Sequence, residues 1–355
     1  MEIHQFLAGA SYGDAITDYA LEIRRVLREL GYRSLIFAEN HDPKLASEVK
    51  PLSFYPEFSS KENIIIFHFS IASLASKLAY HLKEKKILIY HNITPAHFFL
   101  KFHPHLAREC YHGRRELAAF VDKCEVAVGD SEFNRLELVE IGFTRTRVLP
   151  VFINFKKFNI EENRVLSRIF GDGKTNILYV GRIIPNKRVD DVIRIFSHYK
   201  HYINPNSRLI LVGEYRGFER YYDYLLDLIR SLKLTDVHFT GLVPLSELVT
   251  YYRLAHIFII MSEHEGFCLP ILEAYYFGLP VIAFAAAAVP ETMGGAGILV
   301  EEKDPPKIAE IVHKLVEDAE FRKKVIVDEK RVLKKHLSRD LKKELANLLN
   351  EINGR

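Results

Sequence analysis

The chain of 355 residues contains no tryptophan, three methionines and three cysteines. Cys110, Cys124 and Cys268 are too few for a disulfide framework, which argues against a cross-linked secreted scaffold and for a reducing compartment. No apolar run approaches the roughly 20 residues that cross a bilayer, and the N-terminus lacks the basic and apolar regions of a signal peptide. These absences predict a cytoplasmic protein. Neither sign of charge dominates, since 49 Lys plus Arg face 46 Asp plus Glu. A general polyanion binder is thereby disfavoured, and no nucleic-acid partner is expected. The missing tryptophan, beside abundant Lys, Glu, Tyr and Ile, points toward a thermophile's composition.

What is present is enough apolar sequence for large cores, 48% of the residues. The chain is long for one core, because domains cluster near about 100–200 residues, so two are expected. In the first half, strands are predicted at 2–7, 33–38, 63–69, 86–90 and 125–128, each separated by helical pattern. The second half repeats the alternation, with strands at 176–180, 208–212, 237–239, 256–261 and 281–284. Beyond Gly297 the pattern is helical. Strand and helix in alternation predict α/β domains with parallel sheets. Domains are placed at 1–152 and 175–335, joined by an irregular linker at 153–174 and followed by a last helix at 336–355.

Open parallel sheets bind ligands beyond the carboxyl ends of their strands, so the residues falling there are the candidates. After the first strand come Gly9, Ser11 and Gly13, then a helix at 14–30; the loop lacks a G-x-G-x-x-G fingerprint, and Asp14 is either a helix cap or a site residue. His68 and His91 fall at strand ends. His91 opens the loop of YHNITPAHFF, and the reading favours a site role for it and a structural role for His68. His103, His105, Cys110 and His112 match no common zinc spacing, so no metal is expected. The aromatic and basic residues of 83–105 either pack on their own domain or form a patch that rests on a membrane.

Two stretches carry the chemistry. GRIIPNK, 181–187, places Gly181, Arg182 and Lys187 at a strand end, where two cations can meet one diphosphate. EHEGFCLPILEAYYFGLPVIAF, 263–284, holds Glu265 and Glu273 in an E-x7-E arrangement. Pro270 and the Gly278 to Pro280 stop predict a helix at about 269–277, with Glu273 in its first turn. Its N-terminus, facing the loop of Gly266, is an anion site by virtue of unpaired N–H groups and the helix dipole.

The second stretch, with Pro290-Glu291 after it, resembles the donor signature of retaining glycosyltransferases of family 4. Those enzymes have the GT-B fold, two facing Rossmann-like doubly wound domains with a C-terminal helix returning to the N-terminal domain. The resemblance implies transfer of a sugar from a nucleoside-diphosphate sugar to a glycan or lipid-linked acceptor hydroxyl, in polysaccharide, lipopolysaccharide or glycolipid synthesis, with peripheral contact at the inner face of the membrane as one option. It implies no cofactor, because the nucleotide sugar is a substrate. By the same resemblance, Arg182 and Lys187 neutralise the leaving diphosphate in place of a metal. Glu265 lies near the donor sugar, Glu273 binds the ribose, and His91 contacts the sugar or orients the acceptor. Gly266, Phe267, Cys268 and Leu269 offer main-chain groups to sugar or diphosphate, Gly13 lets backbone approach the ligand, and Gly241 and Leu242 lie at the base-binding edge. Cys268 stands where the family usually has glycine. Two rival readings share much of this pattern, a nucleotide-sugar epimerase or phosphorylase and a sugar-nucleotide-binding protein without turnover.

Overall fold

The structure is a computed structural model that describes residues 1–354. It divides into two compact units, one of residues 1–97, 105–153 and 339–354, the other of residues 98–104 and 154–338. The first unit runs β1 (Ile3–Ala10), α1 (Ala15–Glu29), β2 (Ile36–His41), β3 (Val49–Pro51), β4 (Ile64–Phe69), α2 (Leu74–His81), β5 (Lys85–Tyr90), α3 (Pro104–Ala118), β6 (Val126–Gly129), α4 (Glu132–Ile141) and β7 (Thr146–Val148). Its seven strands are all parallel, in the order β3-β2-β1-β4-β5-β6-β7. Every residue of β4 is buried, as expected of a strand covered on both faces, whose apolar run then shows no alternation.

The second unit runs α5 (Arg164–Phe170), β8 (Thr175–Val180), α6 (Val189–His198), β9 (Ser207–Val212), α7 (Glu219–Ser231), β10 (Val237–Gly241), α8 (Leu245–Leu254), β11 (Ile257–Ile260), α9 (Leu269–Tyr276), β12 (Val281–Phe284), α10 (Val289–Met293), β13 (Ile298–Val300), α11 (Pro305–Glu317) and α12 (Ala319–Leu337). Its six strands are parallel too, ordered β10-β9-β8-β11-β12-β13. The last helix, α13 (Leu341–Asn353), belongs to the first unit. There Lys85 Nζ donates to the Ile352 carbonyl at 3.2 Å, and Arg147 pairs with Glu351 at 2.8 Å.

In each sheet the chain order reverses once, between β1 and β4 and between β8 and β11, and such a switch point opens a crevice at the strand ends. Asp14 proves to be the N-cap of α1, accepting from the Thr17 N–H at 3.0 Å.

Three expectations need correction. The linker is not irregular, since α5 and a 3-10 turn at Phe155–Phe158 lie in it. Phe155 stacks on Tyr276 at 5.1 Å, and the Asn163 side chain caps α5. A helix of seven residues shows too few turns for its apolar period to emerge. The chain after Gly297 is not wholly helical, because β13 adds an edge strand of three residues. β3 and β7, equally short, also escaped the sequence reading. Finally, Phe98–Pro104 groups with the second unit. Phe99 packs on Phe218 at 5.4 Å and Phe102 on Tyr221 at 5.0 Å, while Lys86 is buried and bonds the carbonyls of Leu82 and Glu84. The residues of 83–105 therefore form no single exposed patch. Among the described residues no helix is long and apolar enough to cross a membrane.

Candidate donor site at the ends of β8 and β11

The two stretches singled out in the sequence meet at the switch point of the second sheet. β8 ends at Val180 and β11 at Ile260, and the two strands pair through Ile177–Ile257 and Leu178–Phe258. The loops that follow are tied together by Asn186. Its backbone carbonyl accepts from Glu263 N–H at 2.9 Å, and its side-chain amide donates to the His264 carbonyl at 3.1 Å. Lys187, at the end of a short 3-10 turn, ion-pairs with Glu265 through Oε2. Glu265 is 6% exposed, and its other oxygen is buried without an N–H or O–H donor from the chain. An acceptor left so is costly, about 1–3 kcal/mol.

Beside this pair, Arg188 bonds Glu263, Asp190 and Asp191, and Lys303 bonds Asp191 and Glu263. The network fixes the loop that delivers Glu265. Arg182 is exposed, with its guanidinium 5.8 Å from the Phe218 ring centroid.

Cys268 is the N-cap of α9 and has φ 71° and ψ 62°. This left-handed conformation costs a residue with a Cβ about 1–2 kcal/mol, which explains why glycine suits the position. Burial, then the neighbouring Glu265 carboxylate, pushes the thiol well above its ordinary value. Pro270 is the second helical residue and has no N–H, while the Ile271 N–H turns back to the Cys268 carbonyl at 3.2 Å. Leu269 is therefore the first backbone donor of the helix. Glu273 lies beyond the first turn, contrary to the sequence reading, and accepts from the Tyr252 hydroxyl at 2.8 Å. Phe267 is buried, and its carbonyl accepts from the Thr292 hydroxyl; Gly266 is half-buried.

β8, β9 and β10 each run out at a glycine; the sequence reading used Gly181 and Gly241 and passed over Gly213. Gly181 N–H donates to Val212 and Gly213 N–H to Gly241, at 3.0 and 3.1 Å. At Gly213, φ is 150°, and a Cβ there would stand 1.9 Å from the Gly181 carbonyl oxygen. The recurring endings VGR, VGE and TGL were the available signal. Leu242, after Gly241, is 70% exposed.

In the first unit Gly13 has φ 78° and is exposed. His91 lies at the end of β5 with both ring nitrogens engaged, Nδ1 with Asp130 at 2.7 Å and Nε2 with His68 at 2.8 Å. No nitrogen of this ring is left for a ligand. His103, His105, Cys110 and His112 do not converge, and among the described residues no three His, Cys, Asp or Glu side chains gather as a metal set.

Comparison with known proteins bears on the second unit above all. Residues 161–331 match the model of the family Glycosyl transferases group 1. The match takes in just under half of the chain. The match covers α5 through most of α12 and so contains Arg182, Lys187, Glu265 and Glu273. The O-antigen chain mannosyltransferase B of Escherichia coli is 26% identical over 67% of this chain and 63% of its own length. The D-inositol 3-phosphate glycosyltransferase of Thermobifida fusca is 30% identical over 60% of this chain and 51% of its own. The chain thus spans between about half and two thirds of these relatives. Among solved structures, HepE of Anabaena in complex with UDP-glucose aligns over 99% of both chains, with a TM-score of 0.79 and 16% identity. WaaG, a glycosyltransferase involved in lipopolysaccharide biosynthesis, aligns over 99% of this chain with a TM-score of 0.72 and 13% identity. At such identities the likeness is one of fold, and that fold is GT-B.

Proposed function

We propose that this protein is a transferase that moves a hexosyl group from a nucleoside-diphosphate sugar to an acceptor hydroxyl, with retention at the anomeric carbon and without a metal ion. The observation that carries the reading is the Lys187–Glu265 pair at the ends of β8 and β11, with one Glu265 oxygen buried and unmatched by any N–H or O–H of the chain. A sugar hydroxyl is the kind of donor that would satisfy it. The Lys187 ammonium has three N–H groups, so one can serve Glu265 while others meet a phosphate oxygen. As the glycosidic C–O bond breaks, its electron pair stays on the diphosphate, and donors set in advance to meet that charge lower the barrier. Lys187, Arg182 and the Leu269 N–H form this field. The acceptor oxygen forms the new bond to the anomeric carbon, and its proton passes to the departing phosphate.

Glu273 is assigned the ribose hydroxyls, Gly181, Gly266, Phe267 and Cys268 the main-chain surface around the phosphates, and Gly241 and Leu242 the edge of the base. Gly13 is assigned close approach of backbone to ligand in the first unit. His91 is assigned there as a fixed ring rather than a free proton donor. The relatives named for O-antigen and capsular polysaccharide synthesis support a glycan or lipid-linked acceptor. Purified protein should release nucleoside diphosphate from a panel of nucleotide sugars, at a rate unaltered by a chelator, and the product's anomeric configuration reports retention. Lys187→Met should lower turnover at least a hundredfold, by analogy with loss of one preorganised donor. Wild-type turnover in that variant would refute the assigned role, and conversion of the nucleotide sugar into another nucleotide sugar, with no nucleoside diphosphate released, would favour an epimerase instead.

A further inference from the structure

Four side chains of the first unit form an unbroken series of hydrogen bonds. Gln5, in β1, donates its Nε2–H to the Ala20 carbonyl at 2.9 Å, which turns its Oε1 toward His68 Nε2, also 2.9 Å away. His68 Nδ1 lies 2.8 Å from His91 Nε2, with the two ring planes within 3°. His91 Nδ1 then lies 2.7 Å from Asp130 Oδ2. Gln5, His68 and Asp130 are all buried, and the side chain of His91 is 2% exposed. Tyr19 of α1 stands edge-on to both rings at 6.3 Å.

The protons of this series can be counted. Gln5 Oε1 only accepts, so His68 Nε2 carries a hydrogen. The N···N contact holds one proton and the contact to Asp130 holds another, because two acceptors facing each other out of water would leave both unsatisfied, at about 1–3 kcal/mol. Three bonds therefore need three protons, whereas two neutral imidazoles bring one N–H each. The third proton sits on a ring and not on Asp130, since imidazole is ordinarily the stronger base. It belongs to His91, whose Nδ1 faces the Asp130 carboxylate at 2.7 Å, whereas His68 faces only the neutral Gln5 amide oxygen and is held by burial below its ordinary value. The other charges near the series cancel: Arg339 and Glu344, which act on Tyr19, pair with each other at 2.6 Å.

We propose that Gln5 and His68 are positioning residues for His91, which they hold as a buried imidazolium facing the Asp130 carboxylate. His91 cannot turn its nitrogens away without breaking two bonds, so its ring and its charge are fixed at the end of β5. This goes beyond the glycosyl-transfer reading and rests on it only for its kinetic consequence.

The test uses the full chain with its histidines labelled with nitrogen-15, at neutral pH. A hydrogen-bonded ring pair is identified in the wild type by scalar coupling across the N–H···N bond. The expected spectrum shows three of its four nitrogens protonated, and two of four would overturn the proposal. Gln5→Leu removes the acceptor for His68 Nε2; it should cost the pair its third proton and lower kcat about tenfold or more with the donor KM unchanged, while Gln5→Glu retains both. A folded Gln5→Leu protein that keeps its kcat after losing the proton would overturn the positioning role. Should the wild type show no transfer at all, the transfer reading fails and the proton count alone decides the proposal.

Discussion

Lys187 and Glu265 illustrate how one contact can serve stability and chemistry together. Glu265 is almost wholly buried, so its charge is held in place by the ammonium opposite, and removing one partner of such a pair leaves an uncompensated charge that costs several kcal/mol. Lys187 is 19% exposed in its side chain, so the cost of Lys187→Met should be nearer about 1–3 kcal/mol, read from denaturant unfolding. The double variant Lys187→Met with Glu265→Gln should recover most of that stability and none of the turnover. Recovery of both would mean that the pair is structural only. Cys268 adds a second case. Relief of its left-handed backbone offsets the loss of a buried thiol, so Cys268→Gly should change stability by no more than about 1 kcal/mol. Cys268→Val puts a β-branched side chain into the same conformation and should destabilise by about 2 kcal/mol or more.

At the scale of the element, strands and caps were the legible features. The apolar runs of β4, β5, β8 and β11 stand out because both faces are covered, and Asp14 sits directly before the helix that it caps. Asp14→Ala should therefore cost about 1 kcal/mol of stability without changing the fold, as measured by chemical denaturation. Gly213→Ala should be far worse, because the added Cβ would meet the Gly181 carbonyl oxygen at 1.9 Å and the ends of β8 and β9 would have to part. Short edge strands gave no such signal. β3, β7 and β13 have three residues each, too few for a period of two to show, and it is pairing with a neighbour already in place that makes them strands.

For the whole molecule, one buried acid couples stability to pH. Glu329 of α12 is fully buried, its Oε1 accepts from the Val281 N–H at 2.9 Å, and its Oε2 has no partner in the chain. Burial raises its carboxyl to about 8. Between an unfolded value of about 4.3 and that raised one, the native state binds a proton that the unfolded state does not. Stability from this group therefore falls as pH rises through the window and levels off above it. Glu329→Gln keeps an acceptor for Val281 and removes the titration. Its melting temperature should exceed the wild type's by a few degrees near pH 8 and by less near pH 5, the size following from about 1 kcal/mol per few degrees. An equal difference at both would refute the coupling. Saturation with a nucleoside diphosphate should likewise raise the melting temperature, since a ligand at about 100 times its Kd adds about 2.7 kcal/mol.

The sequence by itself determined the two parallel sheets and the nomination of Lys187, Glu265 and Glu273, because alternation and strand-end placement are local properties; that Asp14 caps α1 was settled by the structure. Tertiary structure alone decided what those groups face. Lys187 and Glu265 lie 78 residues apart in the chain and become partners only because β8 and β11 are neighbours at a switch point. His91 is closed off on both sides by residues of β4 and the turn after β6 for the same reason. Side-chain partnership is set by which strands pair, and pairing is a non-local outcome of packing that no window of sequence contains.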